Sequence, residues 1–429
     1  MEAIGPFYGM FLDGQCLLAA ILGTVAVALL LGYNGAPFWF WALLGLVALT
    51  GFGAPAILLG VFVVVSLIFI IRPLRVVLVS SLVMKTMKAL QLIPKISGTE
   101  RTALEAGVIW READLFSGKP DFKKMMNEPW PDLSPDEKAF FDNEVNELCR
   151  LIDDWKFWRT KHLPDPVFDF IRKKGFLGMI IPKEYGGLGF SHSMHSAVVQ
   201  KVSTRSIPAT IYIMVPNSLG PAELLVHYGT DAQKKKYLPR LADGTEIPCF
   251  GLTEPLAGSD AGSITSTGVL FRDSDGRIKI RLNWRKRWIT LASISTILGL
   301  AFQLRDPDNL LGKGEELGIT CALIPANLPG VMLGKRHDPL GLPFHNCPME
   351  GHDVVVDAED SIIGGLARAG QGWGMLMESL GAGRGISLPA QSAGGSKLVA
   401  RVTSAHSVIR KQFGLSIGKF EGVEEPLAR

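Results

Sequence analysis

Two short stretches carry residues whose types and spacing suit the binding of a planar ligand with an anionic part. The first is Cys249-Phe-Gly-Leu-Thr-Glu-Pro-Leu-Ala-Gly-Ser-Asp260, and the second is Trp288-Ile-Thr290. Cys249 to Leu252 is a short apolar run that predicts a strand ending in a turn. Thr253, Pro255, Gly258, Ser259 and Asp260 then supply hydroxyls, turn-formers and accessible backbone N–H groups. Such a loop can wrap an anionic or heteroaromatic ligand with main-chain donors. Trp288 adds a broad aromatic face, and Thr290, two residues on, falls on the same side of a strand. A flat ring to stack on, with hydroxyls at its edge, meets the needs of an isoalloxazine. Composition alone favours a plainer reading, an ordinary strand and turn in a β-domain.

The elements that must position these residues follow a simple order. Ser134-Pro-Asp-Glu137 reads as a capping box with Pro at the first helical position, opening a helix through Phe140, Val145, Leu148 and Leu151. Helical periodicity dominates to about Arg240. Residues 247–365 change to short β-type runs (Ile278 to Leu282, Ile319 to Ile324, Val354 to Val356) broken by Gly and Pro. A helical pattern resumes near Gly374. Gly381-Ala-Gly-Arg-Gly385 lies inside it with no strand before it, and Gly186-Gly-Leu-Gly189 is a loop, so no dinucleotide-binding fingerprint is present. From Gly98 to Asp136 the chain is polar, with Trp110, Trp130 and several prolines, and reads as a linker or wrap-around segment.

The N-terminus is different in kind. No Asp, Glu, Lys, Arg or His occurs between Asp13 and Arg72. Turn-like breaks at Gly32–Pro37 and Gly51–Pro55 divide this stretch into apolar runs near 16–33, 37–51 and 56–71. Each is roughly 23–27 Å long as a helix, short for a membrane span but within reach of one. No basic segment precedes the first run, which argues against a secretory signal. Arg72, Arg75, Lys85, Lys88 and Lys95 follow at once, which places the side beyond Arg72 in the cytoplasm. Three short spans, two spans or an in-plane hairpin all satisfy this pattern, and a buried hairpin of a soluble core is the alternative. Residues 72–95 read as an amphipathic helix lying on anionic lipid.

At 429 residues the chain has room for two or three domains. A net charge of +3 without a dense basic block gives no argument for nucleic acid. The five cysteines, 16, 149, 249, 321 and 347, are odd in number and lack metal-site spacing, so they read as reduced thiols, and no metal site is expected.

Several segments resemble the acyl-CoA dehydrogenase family, and especially its large, membrane-associated bacterial members of fatty-acid β-oxidation. These are the two stretches above, His227-Tyr-Gly-Thr-Asp-Ala-Gln-Lys234, Tyr237-Leu-Pro-Arg-Leu-Ala-Asp-Gly244, Gly318 to Pro325, Arg410-Lys-Gln-Phe-Gly414 and Ser416 to Arg429. The resemblance runs from about Phe140 to Arg429. It implies an α+β fold: N-terminal membrane helices (1–71), an interfacial helix and linker (72–133), a helical domain (134–246), a middle β-barrel-like domain (247–370) and the truncated start of a C-terminal helical bundle (371–429).

The implied chemistry is FAD-dependent α,β-dehydrogenation of a fatty acyl-CoA to its trans-2-enoyl form. By position, Phe250, Leu252, Thr253, Gly258, Ser259, Trp288, Ile289 and Thr290 would hold the flavin. Gly381, Ala382, Gly383 and Arg384, with Ser259, would contact acyl-CoA. Arg410, Gln412 and Phe413 would reach the FAD of a neighbouring subunit in a homo-oligomer, close to Glu421, where the family usually carries a glutamine. The catalytic glutamate has no counterpart: Gly383 occupies one family position for it, and the other lies beyond Arg429. Glu378 is a weak candidate because it sits about 140° round the helix from position 383, and Glu254 reads as structural. The resemblance further implies an electron-transfer flavoprotein as acceptor, membrane lipid as partner, and a bacterial inner membrane location facing the cytoplasm. Two other readings remain, a membrane-tethered scaffold without chemistry and a flavin oxidase or monooxygenase on the same fold.

Overall fold

The computed structural model describes residues 7–14, 16–93, 96–106, 112–118, 120–129 and 131–429, so Lys95, Trp110 and Trp130 lie outside the described residues. The chain divides into two compact units, Met1–Ile96 and Ser97–Arg429.

The first unit holds three apolar helices, α1 (Leu17–Tyr33), α2 (Phe38–Gly51) and α3 (Ala56–Ile70). The turns between them use Gly35 and Gly53 at positive φ, 57° and 67°, where a side chain would be strained. At 17, 14 and 15 residues the helices are about 25, 21 and 22 Å long. Among the described residues no single helix is long and apolar enough to cross a membrane. α3 and the next helix, α4 (Arg72–Ala89), meet that length and composition only as a pair bent by 92°. α4 contains a π-helical turn, Val76–Ser80, and ends at Ala89 rather than continuing to 95. Apolar side chains face outward on all these helices, with Leu18 68%, Ile57 83% and Val77 68% exposed.

The second unit begins with α5 (Gly98–Glu105), fixed by a reciprocal Ser97–Glu100 capping box. The polar stretch expected as a linker is therefore partly helical, and its Thr99 carbonyl accepts a hydrogen bond from Trp373 Nε1 at 2.8 Å. The capping box at Ser134 forms as expected and opens the helix Pro135–Phe140. Glu137 Oε1 also accepts from Ser191 N at 2.7 Å, which ties that helix to the start of α6 (His192–Ser203). α7 (Ile207–Met214), α8 (Pro221–Tyr228) and α9 (Asp231–Ala242) follow. Leu148, Phe157, Ile171, Phe176, Met194 and Ile213 are buried at the centre of this helical layer.

The strands are β1 (Pro248–Gly251), β2 (Thr267–Arg272), β3 (Ile278–Thr290), β4 (Ile297–Arg305), β5 (Glu316–Pro325), β6 (Val331–Leu333) and β7 (Asn346–Asp357). They form one seven-stranded sheet in the order β1-β4-β2-β3-β7-β6, with β5 paired to β4. β1 and β2 both run parallel to β4; the other pairings are antiparallel. Among the described residues the ladder does not join β5 to β6, so an open sheet stands where a barrel-like domain was expected. β1 also stops at Gly251, which puts Leu252 in the loop and not in the strand.

β3 alternates as a half-buried strand should, with Ile280, Leu282, Trp284 and Lys286 inward and Arg281, Asn283, Arg285 and Arg287 outward. A bulge between Lys286 and Ile289 then breaks the register with β7. Trp288 takes φ 61° and turns outward beside Arg287, and Ile289 returns to the core. Trp288 and Thr290 share a face as alternation expects, but the bulge turns that face away from the one that holds Lys286.

After the sheet, α10 (Gly372–Ile409) runs for 38 residues. It lies against α6 and the turn Val215–Leu219 at very short range. A Cβ on Gly394 would sit 2.3 Å from the Gln200 carbonyl oxygen, and one on Gly383 would sit 2.6 Å from that of Ser218. The rest of the C-terminal part is a hairpin, β8 (Lys411–Gln412) with β9 (Leu415–Ser416), and a short helix, Glu421–Ala428.

Lys286 points into this core with no exposed surface, and Glu254 meets it with Oε1 2.7 Å from Nζ. The carboxylate also accepts from the backbone N–H and hydroxyl of both Thr265 and Ser266, at 2.6–3.0 Å. Burial by itself would raise the Glu254 pKa, but the hydrogen bonds from Lys286, Ser266 and Thr265 outweigh it and hold the value down at about 2. An acid whose folded pKa lies below its unfolded one stabilises the fold above the unfolded value and loses that contribution as pH falls. The Glu254 carboxylate accordingly contributes stability at neutral pH that is present in full above about pH 4.5 and lost on approach to pH 2. The urea midpoint, measured from pH 7 to pH 2, should fall more steeply across this window in the unaltered chain than in Glu254→Gln. Parallel profiles would rule the contribution out.

Candidate active site

The loop after β1 is tied to β3 at three consecutive residues. Lys286 Nζ donates to the Leu252 carbonyl at 3.0 Å, Arg287 N donates to the Thr253 carbonyl at 3.1 Å, and Glu254 holds Lys286. Glu254 N also donates to the Ala257 carbonyl at 2.9 Å, closing a tight turn. Beyond that turn Gly258, Ser259 and Asp260 form an exposed tip, and Asp260 accepts from the Ser263 hydroxyl. Thr253 is half-buried beneath it.

Trp288 is 51% exposed, unusual for an indole at the edge of a core. His337 meets it edge-on at 4.6 Å, and the Arg287 guanidinium stands 4.9 Å from its ring centroid. With Pro255, Arg285, Pro348 and Glu350 these residues line a pocket of about 310 Å³. Thr290 opens instead onto a larger cavity of about 830 Å³, bounded by Ile207, Ile211 and Met214 of α7, Leu342 and Phe344, and Leu388, Gly395 and Val399 of α10. The buried Asn346 ties the two residues together: its Nδ2 donates to the Trp288 carbonyl and to Thr290 Oγ1, both at 3.3 Å. Its Oδ1 is buried without a hydrogen-bond partner among the described residues. An open aromatic face, a hydroxyl and an unused buried acceptor fit a planar ring with polar edges.

Among the described residues no Asp, Glu, His, Lys or Arg lines the larger cavity. Glu378 is exposed on α10 and accepts a hydrogen bond from the Tyr228 hydroxyl, which holds it away from Gly383 as the helical spacing indicated. Glu254 serves the loop. Near the cavity wall, Ser293 and His345 Nδ1 are 2.6 Å apart. Burial, with Arg336 adding to it, pushes His345 down to about 4, so the imidazole is neutral at physiological pH. Burial likewise pushes the Cys249 and Cys321 thiols up to about 12, and neither is a ready nucleophile.

Of the other residues expected at the site, Ile289 is the clearest correction. Its side chain is 3% exposed in the sheet core, so only its backbone is available to a ligand. The Phe250 ring lies on Gly299, where a Cβ would come within 2.5 Å of it. Gly381 and Arg384 are exposed on α10, with Ala382 between them in the helix, whereas Gly383 is buried against Ser218. Arg410, Gln412 and Phe413 are not brought to Trp288 through the sequence; they lie past the far end of α10. Phe413 is 94% exposed at φ 52°.

Sequence reasoning missed the apolar cavity, although Leu388, Ser392, Gly395 and Val399 recur at helical spacing. It also missed Glu223, a buried carboxyl at the start of α8 that burial raises to about 7. Nothing in Pro221-Ala-Glu223 distinguishes it from an ordinary first-turn acid.

Residues 137–245 match the acyl-CoA dehydrogenase N-terminal domain, and residues 249–354 match the acyl-CoA dehydrogenase middle domain. The chain is 33% identical over 296 residues to the 3-(aryl)acrylate reductase of Clostridium sporogenes, covering 68% of this chain and 72% of that one. It is 30% identical over 319 residues to a probable acyl-CoA dehydrogenase of Mycobacterium tuberculosis. That match covers 73% of this chain but 47% of the relative, so the chain spans about half of its length. Among solved structures, the butyryl-CoA dehydrogenase of Megasphaera elsdenii shares the fold with a TM-score of 0.59 at 24% identity, over 70% of this chain and 76% of that one. With both domains matched in order, the chain belongs to the acyl-CoA dehydrogenase family, whose members are FAD-dependent flavoproteins.

Proposed function

We propose that this chain carries the flavin and acyl sites of an enzyme that dehydrogenates fatty acyl-CoA to trans-2-enoyl-CoA in β-oxidation. The observation that carries this reading is Thr290, whose hydroxyl stands between the half-exposed Trp288 and an apolar cavity of about 830 Å³. Trp288 would stack on the ring of FAD, Thr253 and Ser259 would bond its edge, and the N–H groups of the 258–260 tip would meet its pyrophosphate. When bound, FAD supplies the hydride acceptor. The acyl chain would occupy the cavity, with water excluded by Ile211, Met214 and Phe344. The polar part of the CoA would pass Gly381–Arg384. Electrons would leave to an electron-transfer flavoprotein, as the family resemblance implies. Arg410, Gln412 and Phe413 would serve a second copy in a homo-oligomer.

The lining residues supply no acceptor for the α-proton. That observation favours the second reading, a membrane-tethered binding or scaffold protein on this fold, if no carboxylate reaches the cavity from elsewhere. The first unit, uncharged from Gly14 to Ile71 and apolar on its outer faces, would hold the protein in the bacterial inner membrane. Arg72, Arg75, Lys85 and Lys88 would then lie at its cytoplasmic surface.

Trp288→Ala and Thr253→Ala should each weaken FAD binding about tenfold, the equivalent of a lost stacking contact or hydrogen bond, with the unfolding temperature little changed. Titration with free FAD reads this directly, and unchanged affinity in both variants would sink the site assignment. In dye-coupled dehydrogenation with medium- and long-chain acyl-CoA, the chain should bind substrate yet turn over roughly 10²–10⁴-fold more slowly than a relative with a carboxylate in place. Full turnover would mean that a base is present, and Glu378 and Glu223 would be the first to replace. Finally, a tagged chain should stay with the membrane fraction through high-salt and carbonate washes. Release without detergent would rule out integral attachment.

A further inference from the structure

We propose that the buried Glu254–Lys286 pair is a positioning device for the flavin site: it aligns the loop and indole walls and so sets cofactor affinity separately from fold stability. This rests on the flavin reading above. Among the described residues β1 pairs with β4 alone, and β3 pairs with β2 and β7. The loop after β1 therefore owes its place beside β3 to local cross-links and not to a shared ladder. Those links are Lys286 to the Leu252 carbonyl, Lys286 to Glu254, and Arg287 N to the Thr253 carbonyl, at 3.0, 2.7 and 3.1 Å. Four donors from Thr265 and Ser266 immobilise the carboxylate, so the lysine is drawn to a fixed point.

The same lysine sets the direction of Trp288. With Lys286 inward, uninterrupted alternation would also send residue 288 inward. The bulge begins directly after Lys286, and Trp288 leaves the core at φ 61°. An anchored ammonium on one side of the bulge and a buried Ile289 on the other leave the indole one outward course. A buried ion pair gives little or no net stability over well-packed apolar groups. Its place here, between the two walls, is what alignment requires.

The test compares Lys286→Met, Glu254→Gln and the double variant with the unaltered chain, using thermal unfolding, FAD titration and the emission of bound flavin. The singles should unfold at lower temperature, and the double should regain part of that loss because no charge is left unpaired. All three should bind FAD about tenfold more weakly or worse. The flavin they hold should emit more brightly, because its ring no longer lies flat on Trp288. A double variant with native FAD affinity and native quenching would overturn the proposal and leave the pair a merely structural one. If neither single variant folds, Ser266→Ala decides, since it removes one donor from Glu254 and keeps both charges. A few-fold weaker affinity with brighter emission supports the proposal, and no change in either overturns it. Trp288→Ala separates the two readings: unchanged emission there removes the flavin site itself, whereas brightening there with native behaviour in the latch variants removes only the latch.

Discussion

A lysine with no exposed surface, on the inward face of a strand otherwise built from Ile280, Leu282 and Trp284, constrains everything around it. Its charge cannot be left without a partner, because an unpaired buried ion costs several kcal/mol. The partner must in turn be a carboxylate whose remaining lone pairs are satisfied. Glu254 meets both conditions, and in doing so it fixes the loop that begins at Leu252, the Thr265–Ser266 entry to β2, and the bulge that turns Trp288 out. The sheet core, the loop tip and the exposed indole are thus set by one electrostatic requirement.

A second constraint is steric. α10 approaches its neighbours so closely that neither Gly383 nor Gly394 has room for a methyl group. That closeness gives the larger cavity its α10 wall, since a helix held further off would leave a shallow groove instead of a lined chamber beside Thr290. On the proposed reading it also bears on where a general base could stand. Gly383 is more than a position where a carboxylate happens to be absent: with the Ser218 carbonyl 2.6 Å from where a Cβ would stand, any side chain there would push the helix away. On this backbone a base must approach the cavity from another direction.

Local signals were the legible part of the sequence. The capping box at Ser134, the turns at Gly35 and Gly53, the succession of helical, sheet and helical segments and the loop tip at Gly258–Asp260 all follow from residues close together in the chain, where propensity and turn chemistry decide. The bulge at Trp288 was not legible, because period-2 alternation assigns residues 286, 288 and 290 to one face and carries no mark of an inserted residue. Its only trace is a lysine on an apolar face, a conflict that a local pattern cannot resolve and a distant glutamate can. The open sheet depends on strand pairings that alternation does not encode. The cavity needed two helices, α7 and α10, far apart in sequence, although the small residues along Ser392–Ser396 were its visible half.

The dimensions of α10 limit how the remaining residues can cooperate. From Arg384 to Arg410 the helix rises about 39 Å at 1.5 Å per residue, longer than a flavin nucleotide site is wide. Arg384 and Arg410 therefore cannot serve one cofactor within one chain, whatever their roles. On the proposed reading the two sets serve different sites, the far one at the exposed Phe413. It holds a left-handed backbone conformation that costs a non-glycine residue about 1 kcal/mol or more, and it presents 94% of its surface, with Phe420 edge-on at 6.3 Å. That conformation closes the β8–β9 hairpin, in which Phe413 and Gly414, at φ 52° and 79°, are the two turn residues between paired Gln412 and Leu415. The turn accounts for the backbone but leaves the ring exposed, and on the proposed reading a second copy covers it, with Phe413, Gln412 and Arg410 completing the outer wall of a neighbour's flavin site.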